Sequence, residues 1–142
     1  MNNRMSDCFF AIHSFTHSSI PSFKKMDREA LRNRTKQFAV RVVKVFRALP
    51  KTDDAKVIGR QLLRSGTSVA ANYRAVCRAR SRAEFIAKMS IVIEECDETA
   101  FWLELMGETD ILDKARLTEL HKEAIELLSI FAKARITATK NK

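Results

Sequence analysis

An all-α fold, an up-down-up-down antiparallel four-helix bundle, is what this sequence predicts, and three observations carry the prediction. Three glycines and two prolines punctuate 142 residues, too few for the many turns of a sheet protein. Apolar residues recur in steps of three and four along four long stretches. The breaks between those stretches are short, so successive helices must run antiparallel.

The first helix is read over Asp27 to Leu49, with Leu31, Phe38, Val42, Val45 and Leu49 on one face. Pro50 ends it, because a proline ring pushes the preceding residue out of the α region. Thr52 or Asp53 is placed to cap a second helix, whose seam is Ile58, Leu62, Ser65, Val69, Asn72 and Val76. Its middle is small: Ser65, Gly66, Ser68, Ala70 and Ala71 let a neighbouring helix come close. Gly66 costs about 1 kcal/mol of helix propensity, which close packing has to offset. Asn72 has two readings, a buried amide that fixes register or an amide bonded to backbone or to Ser68.

Ser81 and Glu84 have the spacing of a capping box: the serine oxygen accepts from the Glu84 N–H, and the carboxylate accepts from the Ser81 N–H. The third helix is expected to run to about Gly107, a residue suited to the left-handed conformation that ends helices. Its seam is Phe85, Met89, Val92, Cys96, Thr99, Leu103 and Met106. Ile91, Phe101, Trp102 and Leu105 fall off that seam, more than one contact face can bury. Packing within the chain accounts for Trp102, whereas Phe101 and Leu105 at the back are assigned to an oligomer interface. Asp113 is placed to cap a fourth helix carrying Leu117, Leu120, Ala124, Leu127 and Phe131.

These elements make one bundle domain, residues 26–139, followed by a basic tail at 140–142. Residues 1–25 show no period and read as a disordered extension. Met26 stands directly before the periodic region and is a candidate start of the working protein. The charge is uneven. Residues 26–90 hold 16 Lys and Arg against 5 Asp and Glu, a net of +11, while residues 91–139 hold 5 against 11, a net of −6. A basic half can hold polyanions or pair with an acidic half of its own or a neighbouring chain. Three cysteines without framework spacing (Cys8, Cys77 and Cys96) fit a reducing cytoplasm, and the latter two sit in apolar patterns as core thiols. No stretch approaches the roughly 20 apolar residues of a membrane span, so a cytoplasmic protein is expected.

Several runs together resemble a known family: Leu49-Pro50-Lys51, Gln61-Leu62-Leu63-Arg64-Ser65, Ser68-Val69-Ala70-Ala71-Asn72 and Arg80-Ser81-Arg82-Ala83-Glu84-Phe85. They look like the four helix bundle protein family, also called the 23S ribosomal RNA intervening sequence proteins, over roughly Leu31 to Ile136. One departure is that Asn72 is followed by Tyr73-Arg74-Ala75-Val76, where many members have Ile-Ala-Glu-Gly. The resemblance implies a four-helix bundle assembling as a ring, typically a homopentamer, and an association with nucleic acid. It attaches no enzymatic activity. A related branch, the accessory proteins of diversity-generating retroelements, are basic pentamers that bind a reverse transcriptase and nucleic acid.

The residues themselves point the same way. Lys56, Arg60, Arg64, Thr67, Ala71, Arg74 and Arg78 share one sector of the second helix, a basic stripe about 33 Å long at 1.5 Å per residue. Arg80 and Arg82 extend it at the turn. Arginine forks match phosphate oxygens bidentately. The competing readings are pairing with Glu94, Glu95, Asp97 and Glu98 on the third helix, and plain solvation. Tyr73 is the one aromatic beside the stripe, so sequence-specific reading of single strands is not expected. His13 and His17 have an i, i+4 spacing but sit in the unpatterned tail without a third ligand, and His121 falls on the polar side of the fourth helix. No catalytic set, phosphate loop, metal site or cofactor site converges. The expected protein is a non-enzymatic oligomer that binds RNA or DNA through the stripe, or else a scaffold that recruits a polymerase-type partner.

Overall fold

The computed structural model describes residues 21–141, with side chains from Asp27 onward. Four helices follow one another: α1 Pro21–Arg47, α2 Asp53–Val76, α3 Arg82–Glu108 and α4 Lys114–Lys140. Residues 48–52, 77–81 and 109–113 join them, turns too short for anything but antiparallel neighbours. Helix α1 packs on α2, α2 on α3 and α3 on α4, and a lighter α1–α4 contact closes the bundle. Ion pairing reinforces that light seam. The Arg34 guanidinium donates to both Glu123 carboxylate oxygens at 2.6 and 2.8 Å and to Glu126 at 2.6 Å.

The expected seams of α3 and α4 are in the core. Phe85, Met89, Val92, Cys96, Thr99, Leu103 and Met106 of α3 are buried, as are Leu117, Leu120, Ala124, Leu127 and Phe131 of α4. On α1, Phe38 and Val42 are buried, while Leu31, Val45 and Leu49 pack against the core from its margin. Burial holds the Cys96 thiol protonated, pushing its pKa to about 12, and its S–H donates to the Ala124 carbonyl at 3.2 Å. Ser65 and Thr99, both buried, share a 3.0 Å hydrogen bond that pins α2 to α3.

The small middle of α2 does bring α1 close. A Cβ placed on Gly66 would stand 2.7 Å from both γ carbons of Val42. The α2 seam bends from its expected course, however. Tyr73 is buried with its ring 5.6 Å from that of Phe131, so it cannot stack on a ligand beside the basic stripe. Asn72 is only half-buried and donates to the Ser68 carbonyl at 2.9 Å, the local bonding arrangement. Val69, Tyr73 and Val76 continue the i, i+4, i+7 run that burial follows.

Helix ends differ in detail from the expectations. Thr52 caps α2, accepting from the Ala55 N–H at 3.4 Å. Ser81 accepts from the Glu84 N–H at 3.1 Å, but the Glu84 carboxylate returns to the Arg80 N–H at 2.7 Å, one residue further than the capping box requires. Gly107 does not end α3 in a left-handed conformation. It is helical and buried, and Asp110 takes the positive φ of 55° instead. The Ile111 N–H reaches the Met106 carbonyl at 3.1 Å and the Asp110 N–H the Gly107 carbonyl at 3.4 Å, the paired bonds of a Schellman motif. Burial of Ile111 and Met106 supplies its apolar contact. Helix α1 starts at Pro21, so residues 21–25, expected in the unpatterned extension, are helical. Proline suits a first helical position, where its missing N–H is no loss, and adding turns to a formed helix needs no apolar stripe. Lys140 belongs to α4 and not to the tail. Cys8, His13 and His17 lie outside the described residues.

Candidate nucleic-acid interface

The basic stripe of α2 divides into engaged and open cations. Arg64 points at α3, reaching both Glu95 carboxylate oxygens at 3.4 Å and pairing with Glu98. Trp102 donates its indole N–H to the same Glu98 at 3.2 Å. Burial opposes the Glu98 charge, but Arg64 and Trp102 outweigh it and hold this carboxyl below its ordinary value of 4.5. Lys56 lies 3.6 Å from Asp53 in the first turn of its own helix. Arg82, half-buried, donates to the Asn141 carbonyl at 2.7 Å and ties the start of α3 to the end of α4. For these three, pairing within the chain describes the structure.

Arg60, Arg74, Arg78 and Arg80 are exposed, and none is in an ion pair with a carboxylate among the described residues. Arg60 stands apart, about 21 Å from Arg74 along the helix. The other three gather where α2 turns into α3, and there the bundle adds cations from other helices. One depression of about 570 Å³ is lined by Ala71, Arg74, Ala75, Arg78, Arg80, Glu84 and Lys88. A second, of about 370 Å³, is lined by Glu29, Arg32, Asn33, Lys36, Ala70, Ala71 and Arg74. Arg32 and Lys36 of α1 and Lys88 of α3 thus join the site. No single-helix pattern could have found them, because only the packing of three helices brings them together. Among the described residues six cations here face two carboxylates. Glu84 is partly occupied, with Lys88 3.5 Å away and the Arg80 N–H bound.

Arg80's backbone N–H, followed by Lys88, likewise holds the Glu84 carboxyl below its ordinary 4.5. A carboxylate whose folded pKa is lowered contributes stability in full above its unfolded value and loses it as pH falls through the folded one. Thermal midpoints should therefore hold steady above pH 4.5 and decline below it as Glu84 and Glu98 take up protons. A midpoint that rose with acidification through that window would refute these pairings.

The back of α3 exposes two apolar side chains ten residues apart. Phe101 is 51% exposed and Ile91 43%, with Leu105 half-buried one turn from Phe101. Phe101 rests edge-on against Trp102 at 4.8 Å between ring centres. Glu94 and Asp97 are exposed on the same helix. His121, on the polar side of α4 as expected, has its Nε2 2.8 Å from a Glu104 carboxylate oxygen. Among the described residues no group of three or more His, Cys, Asp or Glu side chains is arranged to hold a metal ion. No helix there is long and apolar enough to cross a membrane.

Comparison with known proteins accords with this architecture. The chain is similar to a protein of unknown function from the S23 ribosomal protein family of Bacteroides thetaiotaomicron, whose crystal structure superimposes with a TM-score of 0.69 at 33% identity. That match covers 73% of this chain and 96% of the other. No curated protein matches. The model of the 23S rRNA-intervening sequence proteins matches residues 30–133, from the third turn of α1 through most of α4. The chain belongs to the 23S rRNA-intervening sequence protein family.

Proposed function

We propose that this chain is a non-enzymatic, cytoplasmic binding protein that self-associates and holds the sugar–phosphate backbone of RNA or DNA at the turn end of its bundle, without reading base sequence. The observation that carries the reading is the convergence of Arg32, Lys36, Arg74, Arg78 and Arg80 from two helices and a turn. None of them is in an ion pair with a carboxylate among the described residues. A cation cluster that the fold does not neutralise attracts polyanions, and arginine forks bind their phosphate oxygens bidentately. Binding to mixed-sequence nucleic acid, followed by fluorescence anisotropy over a salt series, tests it. Affinity should fall steeply with salt and vary little with sequence. Absence of binding at low salt would overturn the reading.

A second reading, an assembly that recruits a protein partner such as a reverse transcriptase, is supported by the exposed Ile91 and Phe101 on the back of α3. Phe101 and Leu105 remain the proposed oligomer contact, and the family resemblance implies five copies of the 16.2 kDa chain. Because Phe101 is half-exposed in the protomer, Phe101→Glu should leave the helical circular dichroism intact. A carboxylate buried at a subunit contact costs several kcal/mol, so the mass measured by light scattering should shift toward monomer. An unchanged oligomer would place the contact elsewhere, and an unchanged monomer in the wild type would remove self-association altogether.

A further inference from the structure

The two cationic depressions occupy neighbouring interhelical grooves, one between α1 and α2 and the other between α2 and α3, and both are lined by Ala71 and Arg74. Helix α2 is the ridge between them. At this level it presents Ala70, Ala71 and Ala75 to the grooves, with Ala71 exposed. Beside Arg74, the ridge at this level carries only these methyl groups and is a low saddle. Cations stand on either side of it, Arg32 and Lys36 in the first groove, Arg78 and Arg80 in the second.

We infer that a single-stranded nucleic acid lies in both grooves and crosses α2 over Ala71, with Arg74 at the crossing. This rests on the phosphate-binding reading and adds which form of nucleic acid the site takes. Packed helix axes stand about 8–10 Å apart, so a groove between two of them admits a chain one backbone wide. A duplex, whose major groove alone is about 12 Å wide, rides on the lips of the grooves and meets only the outermost cations. It is also too stiff to bend over so short a step, with a persistence length of about 150 base pairs. A single strand turns freely at each phosphodiester and follows the saddle down on both sides. Among the described residues no aromatic side chain lines either groove, so the strand is held by its phosphates and its bases are not distinguished.

The test is Ala71→Leu, which raises the saddle, leaves the charge unchanged and keeps a strong helix former at an exposed position. Anisotropy is measured on the full chain with a dye-labelled mixed-sequence single strand and with the duplex of the same sequence. The single strand should bind the wild type more tightly than the duplex does. Ala71→Leu should weaken the single strand by about tenfold or more, equivalent to about 1.4 kcal/mol, without moving the duplex affinity or the Tm. Duplex binding equal to or tighter than single-strand binding would overturn the crossing, as would a single-strand affinity indifferent to the leucine. Either result would leave the phosphate-binding reading standing. If neither ligand binds the wild type, both fall together.

Discussion

Replacing Gly66 by valine should lower the Tm by about 10 °C or more. The Cβ alone would stand 2.7 Å from both γ carbons of Val42, a side chain with no solvent exposure. Val42 is β-branched and held in one rotamer on a helix, so it cannot swing aside. Valine adds two more carbons to the same overlap. Overpacking of this kind costs about 3 kcal/mol, which exceeds the roughly 0.4 kcal/mol of helix propensity gained by replacing glycine with β-branched valine. At about 4 °C per kcal/mol for a chain of this size, the shift is easily read in a melting curve. Gly59→Ala is the contrast. Its Cβ would meet Leu49 Cδ1 at 2.5 Å, the far end of a flexible and half-buried side chain. That substitution should cost less than about 1 kcal/mol. Equal losses at the two sites would show that Val42 does not set the α1–α2 spacing.

Gly66 illustrates what could be read from the sequence. Its smallness in a seam signalled close helix approach, and the approach is there. Periodicity placed all seven α3 seam residues in the core, because a helix buries what its 3.6-residue repeat aligns. Tyr73 was misplaced beside the stripe for a related reason: Asn72 and Tyr73 fit the repeat about equally, and the apolar ring, packed on Phe131, took the buried position. Asp110 in place of Gly107 at the α3 terminus follows from side-chain packing, since Ile111 and Met106 close the motif from inside the bundle. The candidate site was half legible. Arg74, Arg78 and Arg80 lie on one helical face and its turn, and the repeat finds them. Arg32, Lys36 and Lys88 join only through tertiary packing. Arg64 leaves the set because Glu95 and Glu98 of a different helix happen to face it.

Changing Arg74 and Arg78 together to glutamine should weaken nucleic-acid binding roughly ten- to a hundredfold at low salt and remove about two phosphate contacts from the salt dependence. Both side chains are exposed and neither is in an ion pair among the described residues, so the Tm and the oligomeric mass should not move. Arg64→Gln is expected to do the reverse. It breaks the solvent-screened Glu95 and Glu98 pairs, so a small loss of Tm should accompany unchanged affinity. If the Arg74 and Arg78 change instead dissociates the oligomer, those arginines face carboxylates of a neighbouring copy. Glu94 and Asp97, exposed on α3, are the candidates for that pairing.

The salt dependence of binding by the wild-type chain bears most directly on whether the turn end of the bundle is a phosphate-binding surface. Arg32, Lys36, Arg74, Arg78 and Arg80 are the open cations lining it. At about −0.7 per phosphate contact on a single strand, they imply that log affinity falls against log salt with a slope of about −3 to −4. That slope should drop to about −2 in the Arg74 and Arg78 double variant. An affinity that does not change between low and high salt, or no measurable binding at low salt, would contradict the assignment.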